Sequence, residues 1–418
     1  MKVLVVGSGG REHALALALF RDPEVSQVYA APGNPGMAAV AELHPVDAVD
    51  GAAVAALATE LDVDLVVVGP EAPLVAGVAD AVRAAGISCF GPSAEAAVLE
   101  GSKAFAKDVM AAADVPTALA HVCGTPDEAA AALDAFGAPY VVKDDGLAAG
   151  KGVVVTDDRD VAAGHAAACG RVVIEEYLDG PEVSVFAITD GETVLPMLPA
   201  QDFKRVHDGG EGPNTGGMGA YTPLPWAPEG LVDEVTERVL RPTVREMARR
   251  GTPFTGLLYA GLALTGRGVR VVEFNARFGD PETQPLLALL ESPLGVVLKA
   301  AADGRLHEVG PLKWRDGAAV AVVVAAHNYP GTPRTGDPIT GVDAAEALDG
   351  VDVIHAGTAV RDGALVTSGG RVLAVTAVGA DVAEARQRAY AGVACVDIDG
   401  CHHRTDIAAL PVEAEETR

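Results

Sequence analysis

Short runs of β-branched residues that stop at glycine-rich loops constrain this chain more than any other feature. Val3 to Val6 runs into Gly7-Ser8-Gly9-Gly10-Arg11-Glu12-His13 and then into a helical stretch from about Ala14 to Phe20. Strand, glycine loop and helix N-terminus together aim backbone N–H groups and the helix dipole at an anion. Two more strand-to-loop junctions follow, Pro32-Gly33-Asn34-Pro35-Gly36 and Gly69-Pro70-Glu71-Ala72-Pro73-Leu74. In an open parallel α/β sheet all three lie at the carboxyl ends of strands, where such sheets bind ligands. Each loop taken singly is also ordinary turn chemistry. The first looks like a dinucleotide fingerprint but departs from it. Glu12 stands where the third glycine is needed, and Ala30 and Ala31 follow the second strand where a ribose-binding acid is expected. A nicotinamide cofactor does not fit.

The 418 residues suffice for two to four domains. A formal net charge of −27 argues against nucleic acid, because phosphate neutralisation needs a basic face. It also makes the scarce lysines informative. Lys103, Lys143, Lys151 and Lys204 all sit in or beside Gly-rich or polar loops, where an acidic protein must concentrate positive charge to hold an anionic ligand. The longest apolar runs, such as Ala318 to Ala326, fall well short of the roughly 18 residues a membrane helix needs, so no membrane partner is expected. The start, Met1 to Gly7, reads as a first strand rather than a signal segment. Five cysteines without a CxxC pair fit a reducing cytosol, hence a cytoplasmic location. Cys401-His402-His403 lacks the second cluster a metal site needs.

Further along, Gly101-Ser102-Lys103 opens a helix and a second domain. Tyr140 to Lys143 and Val153 to Thr156 read as strands flanking Asp144-Asp145-Gly146-Leu147-Ala148-Ala149-Gly150-Lys151-Gly152. The spacing is not that of a Walker A loop; a hairpin folding over phosphates as a lid fits better. After a helix near Asp160 to Ala168, Val172 to Leu178 reads as a strand breaking at a turn and Glu182 to Val185 as its partner. That connector offers backbone groups to an adenine edge, and Glu182 is placed to accept from ribose hydroxyls. Lys204 and Arg205, in Gln201-Asp202-Phe203-Lys204-Arg205, add anion-binding capacity. The long Gly-rich loop Gly209 to Tyr221 has the length of a functional one. An amphipathic helix, roughly Leu231 to Arg249, precedes the strand Gly256 to Leu264. The stretch Val271-Val272-Glu273-Phe274-Asn275-Ala276-Arg277-Phe278-Gly279-Asp280-Pro281-Glu282-Thr283 then brings a strand whose alternation puts Glu273 and Asn275 on one side and Phe274 on the other. A carboxylate and a carboxamide there suit Mg²⁺ carrying nucleotide phosphates, and Arg277 can neutralise an oxyanion. A capped, buried strand end is the bland alternative. Beyond about Lys313 a small third α/β domain follows.

Taken in order, GSGGREHAL, GPEAPL, EGSKAF, DGLAAGKG, QDFKR, PNTGGMGAY, EFNARFGDPETQP and HAGT (His355 to Thr358) resemble the phosphoribosylamine–glycine ligase family of ATP-grasp enzymes, over essentially the whole chain. The resemblance implies an α/β protein with a Rossmann-like amino-terminal domain (1–101), an ATP-grasp domain (102–312, lid about 116–182) and a small carboxy-terminal domain (313–418). It implies that ATP lies between lid and larger half, with Lys103, Lys143, Gly150 and Lys151 at its phosphates. Glu175, Glu176 and Leu178 would meet the adenine and Glu182 the ribose. Glu273 and Asn275 would hold Mg²⁺, with Mn²⁺ as the alternative ion. It implies glycine and 5-phosphoribosylamine as substrates, joined through glycyl phosphate in purine biosynthesis, with Arg277 and Lys151 catalytic and a monomer as the expected state. Gly9, Gly10, Asn34, Pro70, Glu71, Lys204, Arg205, Asn214, Thr215, Gly217 and Met218 would contact those substrates. Two alternatives stay open: another carboxylate–amine ligase of purine metabolism, and a nucleotide-binding module without chemistry. Two positions depart from the family pattern. Asp144 replaces a small neutral residue and should face away from Lys143; Gly261 stands where many ATP-grasp relatives place another metal ligand.

Overall fold

The computed structural model describes residues 1–146 and 152–409. The first glycine-loop strand, Lys2–Gly7, lies at the centre of a five-stranded parallel sheet. Gln27–Pro32 and Glu42–Leu43 flank it on one side, Leu65–Val68 and Ser88–Phe90 on the other. Val3 and Val5 enter one core cluster, Leu4 and Val6 another. A strand covered on both faces has no polar side, which is why this one reads as a continuous apolar run. The three glycine-rich junctions do follow the carboxyl ends of neighbouring strands in this sheet.

A four-stranded antiparallel sheet, in the order Ala120–Cys123, Val172–Glu175, Tyr140–Asp144, Val153–Thr156, forms the lid-like unit. Helices Pro126–Phe136 and Arg159–Ala168 cover one face, packing Leu133 and Ala162 on Cys123, Val142, Val172 and Ile174. The alternate residues Lys143 and Glu175 therefore share the other face. Asp144 lies on the helix side beside Cys169, whose thiol is pushed up by burial and by that carboxylate. The expectation that Asp144 turns away from Lys143 holds.

The sequence reading made Val172–Glu175 and Glu182–Asp190 a hairpin, and here it fails. Glu182–Asp190 instead pairs with Thr255–Thr265 in a second antiparallel sheet, ordered Val194–Pro196, Glu182–Asp190, Thr255–Thr265, Gly268–Asn275. The segment between Glu175 and Glu182 crosses from one sheet to the other. Residues 185–188 are apolar on both faces, and the larger sheet gives them a core on each side.

A register shift between Gly261 and Leu262 decides the chemistry of the last strand. Leu262 pairs with Val271 and Gly261 with Glu273, leaving Val272 as the extra residue of a bulge. Strict alternation would put Val269, Val271 and Glu273 on one face. The bulge reverses the parity, so Phe274 joins Val271 in the core while Glu273 and Asn275 face the opposite side. The helix expected over 231–249 is interrupted by a π turn at Thr236–Leu240. Pro242, which has no N–H to donate, sits just beyond it.

The carboxy-terminal sheet runs Gln201–Asp202, Gly219–Thr222, Ala318–Ala325, Arg371–Gly379, Val351–His355, with helix Val382–Val393 packed on it. Its first two strands come from the middle of the chain, so the QDFKR and PNTGGMGAY segments are tied to this sheet. Ala318–Ala325 is buried at every residue, which accounts for the longest apolar run. Among the described residues no helix is long and apolar enough to cross a membrane.

A buried histidine pair clamps the two ends of the chain together. His13 accepts at Nδ1 from the backbone N–H of His355 at 2.8 Å, and Nδ1 of His355 lies 3.1 Å from the Thr358 hydroxyl. Asn34 donates to the His355 carbonyl at 3.0 Å. Burial, together with the neighbouring imidazole, lowers His13 to about 3, and burial lowers His355 to about 4. Their folded pKa values lie below the unfolded value, so their contribution is complete above pH 6.5 and is lost as pH falls toward those values. At pH 5.5 each histidine should cost about 1.4 kcal/mol of stability relative to neutral pH. Urea midpoints at pH 7.5 and 5.5, compared with the His13→Asn variant, test this; parallel pH dependence in both proteins would refute a neutral pair.

Candidate active site

The four-stranded sheet and the helix Lys103–Ala112 together form a buried cation–carboxylate–cation set. Lys143 lies 2.9 Å and Lys107 3.0 Å from the two oxygens of Glu175, and all three side chains are almost fully buried. Lys143 also donates to the carbonyl of the bulge residue Val272 at 2.9 Å, while Lys107 donates to Thr117 Oγ1 and the Ala118 carbonyl. Burial lowers the Lys107 pKa, and Lys143 adds to that; Glu175 opposes both. Glu175, expected at the adenine, is thus the counter-ion that places Lys143 at the rim of the larger sheet. Lys103, at the first turn of helix Lys103–Ala112, donates to the Gly146 carbonyl at 2.9 Å. Asp145 anchors the same loop by accepting from Ser102 Oγ and Ala104 N. Gly150 and Lys151 lie outside the described residues.

The crossing segment offers backbone rather than side chain. Glu176 is pinned outward: its N–H meets the Leu119 carbonyl, and its carboxylate takes the Leu119 N–H and Arg267. The main-chain N–H groups of Tyr177 and Leu178 make no backbone hydrogen bond among the described residues.

Across the larger sheet, directly paired residues project on one face, so Glu182, Ser184, Tyr259, Gly261, Glu273 and Asn275 share a surface. Lys204 reaches over it, 2.6 Å from Glu182. Burial works against its charge, but Asp202, Glu182 and Glu273 outweigh that and hold its ammonium well above the ordinary range. Asp202 is pushed up by burial and by Glu282 and Glu182, against Lys204. Tyr259 Oη bonds Glu282 at 2.6 Å and Ser184 at 2.8 Å. Asp202, Glu182 and Glu273 all act on Lys204, so this face is rich in carboxylate. Among the described residues no cluster of three metal-ligating side chains forms, and neither Glu273 nor Asn275 has a side-chain hydrogen bond. Two oxygen donors in an acidic field fit a Mg²⁺ that takes its remaining ligands from phosphates and water.

The amino-terminal loops converge on the segment after Asn275. Arg277 lies 3.3 Å from Glu71 and 3.1 Å from Glu100, and Glu100 also accepts from Ala276 N at 2.7 Å. Burial and the residual repulsion of Glu71 raise Glu100 despite Arg277; Glu71, also penalised by burial, is brought below its usual range by Arg277 and Arg11. Asp280 is the hub. Burial would raise its pKa, but Arg371 and Arg11 hold it low. Arg371 bonds Asp280 Oδ2 at 3.1 Å and, through Nη1, the Gly216 and Asp280 carbonyls at 2.6 Å each. Gly217 takes φ +113°, and a Cβ there would stand 2.5 Å from Pro281, so only glycine lets the 214–218 loop reach this segment. Thr215 Oγ1 donates to the Lys204 carbonyl at 2.8 Å and Met218 N to the Phe203 carbonyl at 2.8 Å, fixing that loop beneath Lys204. Arg205 and Asn214 pair in a short hairpin, with Arg205 turned to the Gly212 carbonyl at 2.7 Å. Asn34 donates to the Ser8 carbonyl at 2.9 Å, and Pro70 precedes the helix Glu71–Val75 that carries Glu71.

Glu12 explains the broken fingerprint. Its carboxylate accepts from Gly9 N at 2.7 Å and pairs with Arg11, capping the helix Gly10–Arg21 from within. Gly7, at φ +128°, is needed because a Cβ would meet Glu12 at 2.6 Å. One donor of the expected anion pocket is therefore already satisfied, leaving the first-turn amides from Gly10 onward. The sequence reading missed Lys107, Asp202, Glu100, Asp280, Glu282 and Arg371. Asp280 and Glu282 lie inside the motif it singled out, and their acid character two residues apart was a usable signal; Arg371 had none.

The whole length of the chain has relatives. Family models described as phosphoribosylglycinamide synthetase match residues 1–100 (N domain), 101–283 (ATP-grasp domain) and 319–410 (C domain). A phosphoribosylamine–glycine ligase of Streptomyces coelicolor is 70% identical, covering 98% of this chain and 99% of the relative. One from Mycobacterium tuberculosis is 58% identical, covering 99% of each. The crystal structure of phosphoribosylamine–glycine ligase from Thermotoga maritima superposes with a TM-score of 0.85 at 33% identity, covering 97% of this chain and 100% of that one. A biotin carboxylase domain from Hydrogenobacter thermophilus shares the fold at a TM-score of 0.70 and 17% identity, over 96% of this chain and 91% of its own. Sequence models, relatives and architecture agree, and the chain belongs to the phosphoribosylglycinamide synthetase family of ATP-grasp proteins.

Proposed function

We propose that this chain ligates glycine to 5-phosphoribosylamine at the expense of ATP, giving glycinamide ribonucleotide, ADP and phosphate, as a step of purine biosynthesis in the cytoplasm. The observation that carries the reading is one connected set of contacts. Lys143, paired with Glu175, donates to the Val272 carbonyl beside Glu273; Lys204 feels Glu182 and Glu273; Arg277 joins Glu71 and Glu100; and Arg371 bonds Asp280. With the chain divided at 1–101, 102–312 and 313–418, residues of all three units take part in these contacts.

The glycine carboxylate attacks the γ-phosphorus and ADP leaves, forming glycyl phosphate. The amine of phosphoribosylamine then attacks the acyl carbon, phosphate departs and the amine gives up a proton. Such transfer needs positioning and charge neutralisation more than a protein nucleophile. Lys143, Lys103 and Lys151 take the phosphates in this reading. Tyr177 and Leu178 offer the backbone for adenine, and Glu182 the acceptor for ribose. Glu273 and Asn275 would hold Mg²⁺ or Mn²⁺, which supplies charge neutralisation to the nucleotide phosphates when bound. Arg277 faces the developing oxyanion. Gly9, Gly10, Asn34, Pro70 and Glu71 frame the sugar phosphate, with Lys204, Arg205 and the loop from Asn214 to Met218 beside glycine.

The test is ADP release with each substrate omitted in turn. Full turnover is expected only with glycine and phosphoribosylamine together. Sustained ADP formation without the amine, or equal turnover with another acid, would assign the site to a different carboxylate–amine ligase; no turnover with any pair would leave a nucleotide-binding module.

A further inference from the structure

Lys107 stands behind the candidate site rather than in it. It projects from helix Lys103–Ala112, and its ammonium meets Thr117 Oγ1 at 2.9 Å, the Ala118 carbonyl at 3.0 Å and Glu175 Oε1 at 3.0 Å. An ammonium has three protons, so three oxygens leave none for a ligand. Lys143 differs. Among the described residues it meets two oxygens, Glu175 Oε2 and the Val272 carbonyl, each at 2.9 Å, and one proton is left over. The two cations thus divide a single carboxylate between them.

Charge gives Lys107 a purpose. Two ammonium groups and one carboxylate leave one positive charge over, whereas Glu175 and Lys143 alone would cancel. Burial penalises such a surplus, and it lowers the Lys107 pKa even with Glu175 opposing. A surplus kept against that penalty is useful where an anion arrives. Its field reaches the larger sheet: Glu182, held low first by Lys204, is lowered by Lys143 as well. That face carries Glu182 and Glu273, so a polyphosphate approaching it meets carboxylates, and one net positive charge close by weighs heavily.

We propose that Lys107 is a positioning residue for the nucleotide, neutralising Glu175 so that the charge of Lys143 stays available to the phosphates. This role rests on the reading that Lys143 meets ATP, and adds to it a residue that touches no ligand. Lys107 also supports Thr117, whose hydroxyl donates to the Val271 carbonyl at 2.6 Å, so charge and support have to be separated.

Calorimetry on the full chain with Mg²⁺ compares a non-hydrolysable ATP analogue with adenosine, and the ratio of the two affinities isolates what the phosphates contribute. Lys107→Met should lower that ratio about 30-fold, the effect of one unit charge several ångströms away in a partly screened site. Lys107→Met/Glu175→Gln removes one charge of each sign, and the glutamine still accepts from Lys143. Its ratio should return to within about threefold of the parental value. If Lys107→Met fails to fold, the double variant still decides, and a ratio down about tenfold or more would count against the role. An unchanged ratio in Lys107→Met, or a double variant as impaired as the single one, would overturn the assignment; the latter would make Lys107 a prop for Thr117. Lys143→Met tests the underlying reading. A ratio unmoved in that variant refutes Lys143 at the phosphates, whereas a fall there without one in Lys107→Met refutes the role of Lys107 alone.

Discussion

Replacing Glu273 with alanine should lower kcat about 10³-fold while leaving the melting temperature unchanged within a few degrees. The factor corresponds to the several kcal/mol of charge stabilisation, roughly 4, that a correctly held divalent ion supplies. The structural half of the prediction rests on what Glu273 does not touch. Its side chain makes no hydrogen bond among the described residues, and its neighbour across the sheet is Gly261, so no second carboxylate stands behind it. It also stands in a field already rich in acid, where Asp202 is pushed up by burial and by its carboxylate neighbours. Glu273 attracts Lys204, but Asp202 and Glu182 still balance that charge, so stability should hold. Glu273→Gln keeps the shape and loses the charge, and should be almost as impaired. Steady-state rates across a Mg²⁺ titration decide the matter. A Glu273→Ala enzyme with the parental rate and an unchanged Mg²⁺ dependence would remove this residue from the metal site.

Periodicity made much of this fold readable. The continuous Val3 to Val6 run signalled a strand buried on both faces, and the alternation through Lys143 placed Asp144 on the helix side, where it lies beside Cys169. Alternation also put Glu273 and Asn275 together, but for an incomplete reason. Val271 and Glu273 share parity in sequence, and only the bulge at Val272 turns one to the core and the other to the cleft. Nothing local marks that extra residue, because its cause is the register of the partner strand. The same blindness made a hairpin of 172–185: turn residues reveal that a strand ends, not which sheet the next one joins. Glu12 was visible as a defect in a glycine pattern, whereas its purpose, capping Gly9 and pairing with Arg11, needed the folded loop. Contacts such as Glu100 with Arg277 or Asp280 with Arg371 join residues far apart in the chain, and single-sequence reasoning has no term for them.

Arg277 carries the second large prediction, because its candidate catalytic role is entangled with a structural one. Its guanidinium is clasped by Glu100 and Glu71 and is held firmly protonated by them against the cost of burial. Arg277→Met should lose about 10²- to 10³-fold in rate if it stabilises an oxyanion. It should also lose about 3–5 kcal/mol of stability, since Glu100, only 9% exposed, is left as an unpaired buried charge. Glu100 already has a raised pKa, so in this variant it should take up a proton as pH falls, and the deficit should shrink from pH 8 toward pH 5. The double variant Arg277→Met/Glu100→Gln separates the two roles. A neutral amide can still accept from Ala276 N, the contact Glu100 now makes at 2.7 Å, so most of the stability should return. The rate should not. Urea midpoints and ADP release measured on the same three proteins give both answers at once. Recovery of the rate along with the stability would mean that Arg277 only organises the cleft, and the developing negative charge would then need another partner.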